Sequence, residues 1–308
     1  MNLSQNKRNP ILKDTRYLQP LSAPPNSKPL HRSLDLQEIQ LYLSEVHKSG
    51  KGKNLILCGK PGTGKTLCLK HSLNQLRRQT KTNDLHIIPI YTNAGKTRTA
   101  YFTLLEICKC TAKELNKQEP APGWQTYRLK QLFNDSSDEN AVVIGIDEAN
   151  TLLFQKKGRA LLYYLNRQTN TTLILVCNNI EDVTAFEEAA LSSLQPKMMK
   201  LHPYDPEEAL DILRERAENA FHPNVVSDKV LKKVAETTSK AEDIRLGLAV
   251  LLTAGLLAQD RDARRIEAED IDSAIRSEST VRAIREIERL QKKIKSISKT
   301  NPSTFLNI

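Results

Sequence analysis

Hydrophobic and polar positions follow two rhythms along this 308-residue chain, and the change falls near residue 202. Before it, short apolar runs at 54–58 (NLILC), 86–91 (HIIPIY), 141–146 (AVVIGI), 172–177 (TLILVC) and 198–201 alternate with stretches of helical period. An unbroken apolar run such as 141–146 is the mark of a strand buried on both faces of a parallel sheet. Pro89 has no N–H to give a ladder, so 86–91 is expected at an edge or a bulge. Apolar residues at helical spacing predict helices over 33–49, 67–79, 98–115, 124–133 and 158–168. Two prolines and a glycine interrupt 116–123. Strands alternating with helices predict a three-layer α/β domain built on a parallel sheet.

Beyond 203 the strand pattern ends. The stretches 206–219, 227–237, 241–259 and 267–277 all carry helical period, which predicts a small all-α domain. A further amphipathic helix is expected over 281–298, with Val281, Ile284, Ile287, Ile294 and Ile297 on one side and basic residues around the rest. Residues 1–30 hold five of the fourteen prolines and read as an extended arm. The expected organisation is therefore an arm at 1–30, an α/β domain at 31–203, a helical domain at 204–278 and a basic helix with tail at 279–308.

Charge changes this picture only at the ends. The formal net charge is +10, and residues 1–32 and 281–308 contribute +5 each, which leaves 33–280 neutral. Cationic ends attract polyanions, and nucleic acid is the expected one, the other reading being solvated tails that keep the chain soluble. The longest apolar run, around 250–258, is far too short to span a bilayer. The N-terminus lacks the apolar core of a signal peptide, so a cytoplasmic protein, nucleoid-associated if it binds DNA, is expected. Cys58, Cys68, Cys108, Cys110 and Cys177 form no CxxC pair and are expected as free thiols of a reducing compartment.

The chemistry concentrates in Gly59-Lys60-Pro61-Gly62-Thr63-Gly64-Lys65-Thr66, which follows the first strand and opens a helix. Glycines let successive backbone N–H groups curl around a phosphate, and the helix N-terminus adds its dipole. Lys65 would reach the β- and γ-phosphates and Thr66 would ligate Mg²⁺, which makes ATP with Mg²⁺ the expected ligand pair. Asp147 and Glu148 close the buried strand, at the end of the sheet where such folds bind ligands. Asp147 would hold the metal, and Glu148 would activate the attacking water. Asn178, after the next strand, has an amide able to bond both the γ-phosphate and that water. Arg245, in Glu242-Asp243-Ile244-Arg245, would reach the γ-phosphate from the helical domain, or pair with a nearby carboxylate.

In this order the pieces resemble the AAA+ ATPases, and more closely the origin-recognition and cell-division-control replication initiators of the archaeal type. The closer likeness rests on several stretches of this sequence. They are Lys13-Asp14-Thr15-Arg16-Tyr17-Leu18 with Pro29-Leu30-His31-Arg32, Tyr91-Thr92-Asn93, Ile146-Asp147-Glu148-Ala149-Asn150 followed by LLYYLNR, and Pro203-Tyr204 before an acidic helix. The likeness covers roughly 10–295. It implies the Walker A role for Lys65 and Thr66, Walker B for Asp147 and Glu148, first sensor for Asn178 and second sensor for Arg245. It adds Arg32, Leu67 and Tyr204 to the nucleotide-binding set. It also implies an extra helical element that touches DNA near 116–124, making Lys117, Trp124, Arg128 and Lys130 candidates, with core packing the other reading of Trp124.

Three departures alter what the resemblance implies. Before Ser192-Ser193-Leu194, where the family carries basic residues that include an arginine finger, stand Ala189, Ala190 and Leu191. Glu242 replaces the glycine usual before the second-sensor Asp. After the basic helix too few residues remain for the family's winged-helix domain, so DNA contact is expected from the basic ends, the ATPase insertion or a partner. The expected function is a slowly hydrolysing, ATP-controlled switch on DNA, with an AAA+ or initiator protein as possible partner and no membrane. The alternative is an ATP-dependent adaptor that recruits a protein in plasmid or mobile-element maintenance.

Overall fold

The structure is a computed structural model, described over residues 11–20, 28–79, 86–178 and 194–277. Five strands form one parallel sheet: β1 Leu55–Cys58, β2 Ile87–Asn93, β3 Ala141–Asp147, β4 Thr171–Cys177 and β5 Lys197–Lys200. Their spatial order is β2-β3-β4-β1-β5. All neighbours pair parallel. β3 and β4 are buried along their whole length, as their unbroken apolar sequences require. β2 lies at an edge and pairs only with β3, so Pro89 withholds no hydrogen bond from a second neighbour.

Period-two alternation then sorts the strand side chains into two cores. Ile88, Ile90, Val142, Ile144, Ile146, Leu173 and Leu175 share one cluster with residues of α4 (Ala100–Glu114), α5 (Thr126–Ser137), α6 (Asn150–Leu153) and α7 (Lys156–Asn166). Leu55, Leu57, Ile87, Val143, Ile174 and Val176 share the other with α1 (Ser33–Ser49) and α2 (Lys65–Gln79). This is the expected three-layer arrangement. A short α3, Ala94–Thr97, follows β2 directly and ends at a left-handed Arg98 (φ 64), so the helix expected at 98–115 starts at Ala100, as α4.

The chain divides into two compact units. The sheet and its helices make up one, over the described residues 32–60, 64–79, 86–178 and 194–201. The other gathers 11–20, 28–31, 61–63 and 202–277. Its helices are α8 Pro206–Ala220, α9 Asp228–Ala241, α10 Ile244–Asp260 and α11 Ala268–Arg276. Asp205, Pro206 and Glu208 start α8 with a complete capping box. Glu242 takes a left-handed conformation (φ 54) and Asp243 caps α10, which therefore begins at Ile244 and not at 241.

The N-terminal residues join this second unit. Leu12 pairs antiparallel with Phe221. Lys13 N–H donates to Ala220 O at 2.7 Å, and His222 N–H donates to Ile11 O at 3.0 Å. Ile11 and Leu18, the latter fully buried at the end of the 3₁₀ turn Thr15–Leu18, belong to the helical core. The expected helix at 281–298 and its tail lie outside the described residues.

Candidate functional site

Two glycines of the loop after β1 have positive φ that a side chain resists: Gly62 (+79) and Gly64 (+84). At Gly62 an added Cβ would stand 2.1 Å from Asp243 Oδ1, within the helical unit to which 61–63 belong, so only glycine fits. Gly64 O accepts the N–H of Cys68, and the loop thus runs straight into α2. Lys65 is buried, and its ammonium donates to Gly59 O at 2.7 Å and Lys60 O at 2.8 Å, across the mouth of the loop. Thr63 is buried and Leu67 sits in the first turn of α2.

Asp147, the last residue of β3, is buried and accepts three hydrogen bonds. They come from Thr66 Oγ1 (2.9 Å), Tyr91 Oη (3.0 Å) and the Glu148 N–H (3.0 Å). Three donors offset the cost of taking a carboxylate from water. Burial, with Asp147 beside it, pushes the Tyr91 phenol well above its ordinary range, so Tyr91 stays a donor. Lys70 Nζ stands 4.5 Å from the centroid of the Tyr91 ring.

Glu148 adopts a left-handed backbone (φ 51), unusual for a side chain of this kind and typical of strained functional positions. Its Oε1 accepts from Asn93 Nδ2 at 3.2 Å. Gly95 leaves room for it, since a Cβ there would lie 2.0 Å from Glu148 Oε2. Asn178 follows the β4 residue Cys177, which pairs with Cys58, so this amide stands level with Gly59. The structure thus brings Lys65, Thr66, Asp147, Glu148 and Asn178 to the carboxyl edge of one sheet, next to the helix that follows β1.

A hydroxyl and a carboxylate at hydrogen-bonding distance are the hard oxygen donors magnesium takes, and a concave glycine backbone beside a buried ammonium suits a triphosphate. The donor set therefore fits the expected ligands. The sequence alone assigns no role to Tyr91, Asn93 or Gly95, although Tyr91-Thr92-Asn93 carries part of the family likeness. The signal was the end of β2, which registers Asn93 against Asp147.

The remaining candidates lie as follows. Arg245 forks onto Asp243, at 2.9 Å through Nε and 2.7 Å through Nη2, the carboxylate pairing that is the alternative to a γ-phosphate contact. Arg32 is buried at the start of α1, 3.7 Å from Asp35. Tyr204 is half-buried against the helical core. Trp124 packs against the core of α4 and α5 and precedes α5 instead of opening it. The Arg128 guanidinium lies 3.8 Å from its ring centroid. Lys130 Nζ is 4.5 Å from the Tyr164 ring centroid, and Lys117 is exposed. Ala189, Ala190, Leu191 and Ser192-Ser193 fall outside the described residues. Among the described residues no helix is long and apolar enough to cross a membrane.

A family described as an AAA domain matches residues 48–181, and one described as a Cdc6 AAA+ ATPase-type lid domain matches 210–276. The ORC1-type DNA replication protein 1 of Methanothermobacter thermautotrophicus is 28% identical over 263 residues, 83% of this chain and 67% of that one. The solved Aeropyrum pernix ORC1 protein in complex with DNA is 26% identical, with a TM-score of 0.76, over 93% of this chain and 73% of that one. The A. pernix ORC2 protein, solved in ADPNP–ADP complexes, shares the fold at 18% identity and a TM-score of 0.71, over 86% of this chain and 72% of that one.

Proposed function

The chain belongs to the archaeal Orc1/Cdc6-type AAA+ ATPases, and we propose that it binds ATP with magnesium at residues 59–67, hydrolyses it slowly and acts as a nucleotide-controlled switch on replication-origin DNA. The observation that carries this is the Thr66–Asp147–Tyr91 cluster beside buried Lys65, with Glu148 one residue on. Magnesium, when bound, would be held by Thr66 and Asp147 and would neutralise charge on the phosphates. Lys65 exchanges its carbonyl partners for phosphate oxygens. Glu148 takes a proton from the attacking water, and Asn178 orients that water and the γ-phosphate. Slow turnover is supported by the restraint on two of these groups: Asn93 holds the Glu148 carboxylate, and Asp243 holds the Arg245 guanidinium. The DNA part rests on the likeness to DNA replication proteins and on the basic ends of the sequence.

A ligand stabilises only the state it binds, by about 2.7 kcal/mol at a hundredfold excess over Kd. ATP with Mg²⁺ should therefore raise the Tm of the parent and leave Lys65→Ala unmoved. Glu148→Gln should keep the shift and lose turnover. A Lys65→Ala protein with the parent's ATP-induced shift would remove the nucleotide site from residues 59–67.

A further inference from the structure

Beside the nucleotide site, where Glu148 lies against Gly95, two stretches of the sheet unit that carry no carboxylate of their own meet on its surface. Residues 149–178 contain Lys156, Lys157, Arg159 and Arg167 and no carboxylate; residues 87–105 contain Lys96 and Arg98 and again none. The Gln155 side-chain amide joins them, donating to Arg98 O at 2.9 Å and to Thr151 O at 2.9 Å. Gly158 lets α7 press onto α6, since a Cβ there would lie 2.1 Å from Leu152 O. The start of α7 is thereby fixed beside the turn between α3 and α4. Arg159 is used within the fold, bonded to Leu153 O at 3.0 Å, whereas Lys96, Arg98, Lys156 and Lys157 are exposed.

Aromatic rings stand among these cations. Phe102, in the first turn of α4 just after Arg98, is 48% exposed. Tyr163 is 45% exposed and lies two turns along α7 from Lys156. Arg167, one turn further, donates to the Tyr163 hydroxyl at 2.6 Å. Folding does not account for this composition: the rings are half in water, and the lysines occupy a helix start where the dipole disfavours a cation by about 0.3–1 kcal/mol each.

We propose that the exposed face of α7, with the α3–α4 turn beside it, is a contact surface for single-stranded DNA. The cations meet phosphodiesters, and Phe102 and Tyr163 stack on bases. Stacking requires bases with a free face, which a strand offers and a duplex does not. The inference deepens the DNA-associated reading above and rests on it. Its residues differ from Lys117, Trp124, Arg128 and Lys130 and from the basic segment 279–308.

The test is fluorescence anisotropy of the full chain with a labelled oligothymidine and a duplex of equal length, over a salt series. Reversal of both lysines, Lys156→Glu with Lys157→Glu, suits the helix dipole and should preserve the fold, checked by an unchanged ATP-induced Tm shift. It should weaken single-strand binding about tenfold or more and flatten the log–log salt slope by about 1.4, at about 0.7 per lost phosphate contact. Phe102→Ala with Tyr163→Ala should cost at least about fivefold in affinity and leave that slope unchanged. Unaltered single-strand affinity in the lysine variant, an equal loss on the duplex, or a parent that binds duplex but not oligothymidine would each overturn the proposal alone. A parent that binds neither form would remove the DNA-associated reading itself, and this inference with it.

Discussion

Glu148 occupies a backbone conformation that costs a residue with a side chain about 1–2 kcal/mol, and its carboxylate is turned onto Asn93. An exposed hydrogen bond to a charged acceptor is worth about 1 kcal/mol, or roughly fivefold in the population of the released rotamer. Asn93→Ala is therefore expected to raise basal ATP turnover a few-fold with KM unchanged. A fall in kcat would show that Asn93 aims the carboxylate instead of restraining it. The thiols lie at the opposite extreme of reactivity. Burial pushes Cys68 and Cys108 up to about 12, so both stay protonated at pH 8. A thiol reagent should label Cys110, the half-buried one, first, and the four buried cysteines only on unfolding. Labelling of Cys68 before Cys110 in native protein would contradict this. Free thiols were legible in the sequence from the lack of any paired motif; their order of burial was not.

Among the elements, α2 matters most because it carries Lys65 and Thr66. Its height above the sheet is set by Gly145 in the middle of β3, where a Cβ would lie 2.6 Å from Leu69 Cδ1 and 2.8 Å from Leu73 Cδ1. Both leucines are buried, so a methyl has to push α2 away or distort their rotamers. Gly145→Ala should cost about 1–3 kcal/mol by urea titration, and ATP affinity should fall with it. An unchanged midpoint would mean that α2 has slack. Strand existence was readable, since AVVIGI and TLILVC allow little else, and so was the start of α8 from Asp205-Pro206-Glu207-Glu208. The start of α10 was misplaced because helical period runs through Ala241. The break depends on a left-handed Glu242 and on the Asp243 carboxylate accepting the N–H of Arg245, neither visible in periodicity.

For the whole molecule, the sheet unit and the helical unit each have their own core, and residues 11–18 belong to the latter. Leu18 is fully buried there, and truncating such a residue typically costs about 2–5 kcal/mol. Gly255 shows how closely the N-terminal residues fit, since a Cβ would lie 2.7 Å from Phe221 Cε1 and 3.3 Å from Leu12 Cδ2. Leu18→Ala should lower the denaturant midpoint accordingly, while ATP still protects the sheet unit. A neutral Leu18→Ala would mean these residues dock without stabilising.

What the sequence determined alone is local: which segments pair as strands, where glycines and a lysine precede a helix, and which carboxylates end a buried strand. Each follows from a period or from a spacing of a few residues. Only the tertiary structure decided that Tyr91, Asn93 and Gly95 serve Asp147 and Glu148, and that an irregular N-terminus completes a helical core. Asn93 and Glu148 are 55 residues apart, and their meeting depends on the register of two neighbouring parallel strands. That register is set jointly by the two apolar faces of the sheet, and no segment of the chain carries it by itself.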